Sequence, residues 1–135
     1  MEVVNAVYPK SAQIAALLAQ ESDAPIVMVN LLKFKATAEY ADGRATALSG
    51  REAYMLYGEQ MSALVAAQGG RMMHTARVET LVIGDVGDLW DAVALVEYPS
   101  AKAFVAIATS PEVSAIGAHR AAGLAGQLLI QCRTL

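Results

Sequence analysis

A single cysteine, Cys132, leaves the chain with no partner for an internal disulfide, as suits a reducing cytoplasmic setting. Charge is scarce as well: 17% of residues are Asp, Glu, Lys or Arg, against about a quarter in ordinary domains. The balance is slightly acidic, with a net charge of −3 and a pI near 5.3, so no cationic surface for a nucleic-acid backbone is expected. No window approaches the ~18 uninterrupted apolar residues of a membrane span, and the first residues lack a basic, leader-like start. No Gly-rich phosphate loop follows a strand, no Gly-x-Ser-x-Gly elbow occurs, and no Cys-x-x-Cys is present, which removes support for nucleotide-dependent, hydrolytic and disulfide chemistry. The two histidines, His74 and His119, form no His-x-x-x-His pair, so neither a metal nor an organic cofactor is expected.

What the chain has in excess is apolar side chains. They reach 56%, above the roughly 45–50% of average soluble domains. Residues 1–135 fit one domain, with an N-terminal helical extension at about 10–24. A small domain has proportionally more surface than a large one, so surplus apolar content points to a subunit interface.

The pattern along the chain gives the elements. Ser11 caps a short helix over 11–20, with Ile14, Leu17 and Leu18 on one stripe. A strand follows over 26–34, then a polar connection over 35–49 with an Asp42-Gly43 turn, long enough to suggest a lid or binding loop. A helix over 50–68 repeats Ala53, Tyr54, Tyr57, Met61, Leu64 and Val65 at amphipathic spacing and stops at Gly69-Gly70. Strands are expected over 71–83 and 91–98, joined by a turn at 84–88. Ser100 caps a helix carrying Phe104, Val105 and Ile107; Ser110 and Pro111 start another that carries Val113, Ile116, His119 and Arg120. A last strand covers 127–133.

After the first helix the order is β, α, β, β, α, β. Its economical packing is a ferredoxin-like four-stranded antiparallel sheet with helices on one face, an α+β fold. Strand alternation puts Met28, Asn30, Leu32 and Phe34 on one face and Val27, Val29, Leu31 and Lys33 on the other. The bare face is largely apolar, so a homodimer joined through sheet faces is expected.

Pro25 to Phe34 (Pro-Ile-Val-Met-Val-Asn-Leu-Leu-Lys-Phe), Tyr54, Tyr57-Gly58 and Gly69-Gly70-Arg71 resemble, in order, the family catalogued as domain of unknown function 1330. So do Trp90-Asp91, Tyr98-Pro99-Ser100, Phe104, Ser110-Pro111 and His119-Arg120, and the likeness runs from about Pro25 onward. That resemblance implies a dimeric α+β barrel of ferredoxin-like subunits. It implies no catalytic set.

Asn30 is the most informative polar residue, because a carboxamide desolvated without partners costs about 1–3 kcal/mol. Either it ties down neighbouring backbone or it faces a cavity. Tyr54 and Tyr57 share a helix surface, either as core residues with hydroxyls reaching a polar group or as ligand contacts in that cavity. His119 is the natural proton shuttle, and Arg120 the natural holder of a carboxylate or enolate; the alternative for both is a solvated helix face. Adjacent helical residues point about 100° apart, so at most one of the two faces a cleft squarely. Trp90 is an edge anchor or an aromatic lid. His74, read on the face of Met72, Ala76 and Val78, belongs to the cleft or to the dimer interface. Glu97 shares a strand face with Asp91, Val93 and Leu95; if that face is inward it needs a cation, with Arg71 and Arg77 as candidates, and Cys132 reads as structural.

Two functions follow. The first is a cofactor-independent enzyme of oxygenase, isomerase or cyclase type acting on a small, partly apolar or anionic metabolite. There His119 and Tyr57 are catalytic, and Asn30, Tyr54, Arg120 and Trp90 bind substrate. The second is a non-catalytic homodimeric ligand-binding or stress-related module using the same pocket.

Overall fold

The computed structural model describes residues 2–135. Its elements are α1 (Ser11–Leu18), β1 (Ile26–Phe34), α2 (Gly50–Ala67), β2 (Arg71–Arg77), β3 (Ala92–Tyr98), α3 (Ala101–Ala108), α4 (Pro111–Gly123) and β4 (Leu124–Cys132). The strands make one antiparallel sheet in the order β2-β3-β1-β4, the ferredoxin-like arrangement, so the fold is α+β.

Alternation along β1 decides what the sheet buries. Ile26, Met28 and Leu32 are buried beneath the helices, whereas Val27, Val29 and Leu31 are only half-buried on the other face. The register continues this division, pairing Met28 with Val96 and Asn30 with Ala94 on the inner face. Tyr57, Met61 and Val65 of α2, Phe104 and Ile107 of α3 and Ile116 of α4 complete the inner core. No described helix contributes to the outer face, where Val29, Leu31, Val93, Leu95 and Ile130 lie near one another by register.

Local chemistry sets the helix starts. Ser49 and Glu52 form a reciprocal box, Ser49 N–H donating to Glu52 Oε1 at 2.9 Å and Glu52 N–H to Ser49 Oγ at 3.0 Å. Ser100 and Ser110 accept from Ala103 and Val113 in the same way, at 3.0 and 3.3 Å. In α1 the cap is Lys10 rather than Ser11, and its N–H donates to Gln13 Oε1 at 2.8 Å.

Three features depart from the pattern-based expectation. β2 ends at Arg77, not at 83, because its partner β3 begins at Ala92 and the pairing runs out there. Leu81, Val82 and Ile83 have strand-forming side chains but no strand to pair with, and Val82 and Ile83 are 85% and 89% exposed. A bulge between Met72 and His74 breaks the alternation, so Met72 pairs with inward Val96 and His74 with outward Leu95. His74 therefore lies on the outer face, opposite Met72. β4 begins at Leu124 rather than 127, directly after Gly123 ends α4. On the outer face Glu97 meets Arg71, Nε to Oε1 at 3.1 Å.

The helix layer is tied at one end by backbone alone. Lys35 N–H donates to the Gly123 carbonyl at 2.8 Å, and Gly50 N–H donates to the Lys35 carbonyl at 3.1 Å. A β-carbon on Gly50 would strike the Lys35 and Gly123 carbonyls, and one on Gly123 would strike the Gly50 carbonyl and the Tyr54 amide. Only glycine at both positions lets α2 and α4 meet so closely.

Gly123→Ala is therefore expected to lose about 1–3 kcal/mol through overpacking against backbone. Gly117→Ala, inside α4 with nothing within 4 Å of its β-carbon, should gain about 0.5–1 kcal/mol. Urea midpoints of the two variants read both effects. A Gly123→Ala protein as stable as the parent would remove the crossing as a constraint.

Candidate functional site

Between the inner sheet face and the helices lies a cavity of about 1470 Å³, bordered by all four strands, all four helices and the segment before α1. Its body is apolar, including Met28, Met61, Val96 and Phe104. Met28 comes from the inner face of β1, and Met61 from the buried stripe of α2 one turn beyond Tyr57.

A polar seam crosses one end of the cavity. Arg120, in the last turn of α4, donates from Nη2 to the Val7 carbonyl at 2.6 Å and to Gln127 Oε1 at 2.8 Å. Gln127 Nε2 donates to Asn30 Oδ1 at 3.3 Å. Asn30 Nδ2 in turn donates to the carbonyls of Ala94 at 3.3 Å and Met28 at 3.4 Å. The two alternatives for Asn30 thus coincide, since it holds backbone and borders the cavity. Its contacts are long for hydrogen bonds, so the amide is held weakly.

Three phenols face the same space. The Tyr54 and Tyr57 rings are 5.5 Å apart, and Tyr98 stacks edge-on to Phe104 at 5.0 Å. None of the three hydroxyls has a hydrogen bond to a described residue, and none is a sealed, unpartnered atom, so each borders the open cavity. Burial pushes all three phenols above their ordinary pKa, and the Arg120 charge pulls Tyr54 and Tyr57 partly back. At neutral pH they are O–H donors without an acceptor. Among the described lining residues the formally charged groups are Arg120 and Glu59, the latter exposed.

The structure brings Asn30, Tyr54, Tyr57 and Arg120 together around this cavity and places two other expected site residues elsewhere. His119, one position from Arg120, points to a different side of α4, away from the cavity, where Nδ1 lies 2.7 Å from the Tyr40 hydroxyl. Tyr40 is buried, is covered by the Arg44 guanidinium at 4.4 Å, and packs with Ala38, Ala53 and Ala122. The connection over 35–49 is thus pinned to α2 and α4 instead of standing as a free lid, with Glu39 N–H donating to the Ala122 carbonyl at 3.0 Å. Trp90 lies outside the cavity and anchors the N-terminal segment, its Nε1 donating to Asn5 Oδ1 at 2.9 Å. Among the described residues no three His, Cys, Asp or Glu side chains gather to hold a metal ion.

Gln127 and Tyr98 line the cavity but were not among the expected site residues. Gln127 is only 7% exposed although it sits in an edge strand, and the signal lay in alternation: Gln127, Leu129 and Gln131 share the inner face. The segment before α1 was also missed. It pairs with β4 through Ala6 and Gln127, and Gln20 and Gln131 exchange amide hydrogen bonds at 2.7 and 2.9 Å.

A family model described as a domain of unknown function (DUF1330) matches residues 40–131. The crystal structure of the RPA0582 protein of Rhodopseudomonas palustris, itself a protein of unknown function, is similar at 30% identity and a TM-score of 0.86, covering 98% of each chain. The structure of methylated RPA0582 protein gives 32% identity and a TM-score of 0.87 over 98% of this chain and 97% of that one. A dimeric protein of unknown function and ferredoxin-like fold from Bacteroides fragilis aligns at 13% identity and a TM-score of 0.47, over 82% and 96% of the two chains. A likeness that slight transfers neither fold nor assembly. No curated protein matches the chain.

The raised phenols give a pH dependence with a definite sign. Below the ordinary phenol value of about 10, native and unfolded chains are equally protonated at these sites. Above it the unfolded chain loses protons that the native chain keeps, so stability falls as pH rises. Alkaline difference absorbance should show Tyr54, Tyr57 and Tyr98 ionising only as the fold is lost. Full ionisation of all five tyrosines near pH 10 with intact far-UV circular dichroism would contradict the burial assignment.

Proposed function

The chain belongs to the DUF1330 family, and from that premise we propose that it is a homodimeric protein that binds a small molecule between its sheet and helices. The observation that carries this reading is the set of three protonated phenols without acceptors, facing an apolar cavity beside a guanidinium. Buried polar groups are normally satisfied, and donors left open into a cavity this large are suited to a bound partner. Asn30, Tyr54, Tyr57 and Arg120 are the proposed ligand contacts.

The dimer rests on the outer sheet face. Val29, Leu31, Val93 and Leu95 form a contiguous apolar surface without a described covering element, which is costly to leave in water. A second copy related by a two-fold axis covers it with the same surface.

A catalytic reading in the same cavity rests on Tyr57 and Arg120 both lining it; burial holds the phenol above its ordinary pKa, and the Arg120 charge offsets only part of that rise. Such a pair can donate a proton to, and stabilise, an enolate oxygen in cofactor-independent isomerisation or cyclisation. His119, being turned to Tyr40, has no part in that scheme.

Gly58 borders the cavity with nothing within 4 Å of its β-carbon, so Gly58→Phe should project into the space. A thermal-shift screen of small apolar metabolites is expected to yield hits that add about 2.7 kcal/mol at 100-fold their Kd. Gly58→Phe should abolish those shifts while leaving the two-chain mass intact. Hits that survive the variant would place binding elsewhere. Val29→Glu, in the middle of the outer face, should convert the dimer to monomer by sedimentation, and an unchanged two-chain mass would refute the sheet-face interface.

A further inference from the structure

Arg120 is a half-buried cation that takes part in none of the salt bridges among the described residues. Its two hydrogen bonds run to neutral oxygens, the Val7 carbonyl and Gln127 Oε1, and both use Nη2. Nε and Nη1, with three N–H between them, have no hydrogen-bond partner among the described residues, and the guanidinium lies over the Tyr8 ring at 5.7 Å, a contact that supplies no counter-charge. A charge removed from water normally carries a counter-ion, because solvation lost on burial is recovered only by opposite charge and hydrogen bonding. The other charge at the cavity, Glu59, is exposed and more than 4.0 Å from Arg120.

We propose that the occupant of the cavity is an amphiphilic monocarboxylate, its head against Arg120 and the open phenols and its tail along the apolar body. This rests on the ligand-binding reading above and names the ligand class. One guanidinium balances one negative charge, and a carboxylate has about four lone-pair sites for N–H and phenol O–H donors. A phosphate monoester brings close to two charges at neutral pH, and the second would be left without a cation in a largely apolar space. A neutral alcohol leaves Arg120 uncompensated. Beyond the head, Met28, Met61, Val96 and Phe104 supply the tail site, and the thioethers adapt to an irregular chain.

The test is isothermal titration of the full chain at pH 7 and low salt with octanoate, 1-octanol and octyl phosphate. Octanoate is expected to bind at least tenfold tighter than either analogue. Arg120→Gln should bring octanoate to the level of octanol without weakening octanol. Tyr57→Phe, which leaves the Val7 contact in place, should weaken octanoate several-fold and octanol little, so the head-group assignment does not depend on one variant. Octanol equal to octanoate, or octyl phosphate tighter than both, overturns the carboxylate class while the binding cavity stands. Absence of heat and of thermal shift with all three probes overturns the cavity reading along with it.

Discussion

The backbone contact between Gly50 and Gly123 is the constraint on which the rest of this architecture leans. Two helices that meet without side chains between them are fixed to one another at that end, with Lys35 holding both through its own amide and carbonyl. The side chains that bridge helices and sheet lie further along, at Met61, Val65, Phe104 and Ile116.

Much of the fold was legible because its signals are local. The nine-residue β1 announces itself by length, and Ser100 and Ser110 mark helix starts through hydroxyls that accept main-chain N–H groups. The errors share a different cause. Whether residues 78–83 form a strand depends on whether a partner lies beside them, and β3 begins too late to supply one. The bulge at Met72 and His74 is likewise a property of pairing between strands, so strict alternation put the two on one face although they lie on opposite ones.

The candidate site was half-readable for a related reason. Asn30 stood out because an amide inside an apolar strand demands an explanation, and Tyr54 and Tyr57 stood out by helical spacing. The rule that neighbouring helical residues diverge by about 100° separates His119 from Arg120, but it cannot say which one turns inward. Tyr40 decides that, from a loop that reads as a lid and is instead packed against α2 and α4. The contribution of the segment before α1 was invisible for want of periodicity; its role is a main-chain carbonyl, that of Val7, which any residue could offer.

The exposed run Leu81–Val82–Ile83 gives the chain a natural seam. It joins β2 to β3 without taking part in the ladder between them, so a nick there would sever a covalent link while leaving the paired strands in place. The two pieces would be interleaved, since β1 of the first lies between β3 and β4 of the second. Separately made fragments divided at this point have the topology of a complementing pair, and the same position is where a new pair of termini could be opened.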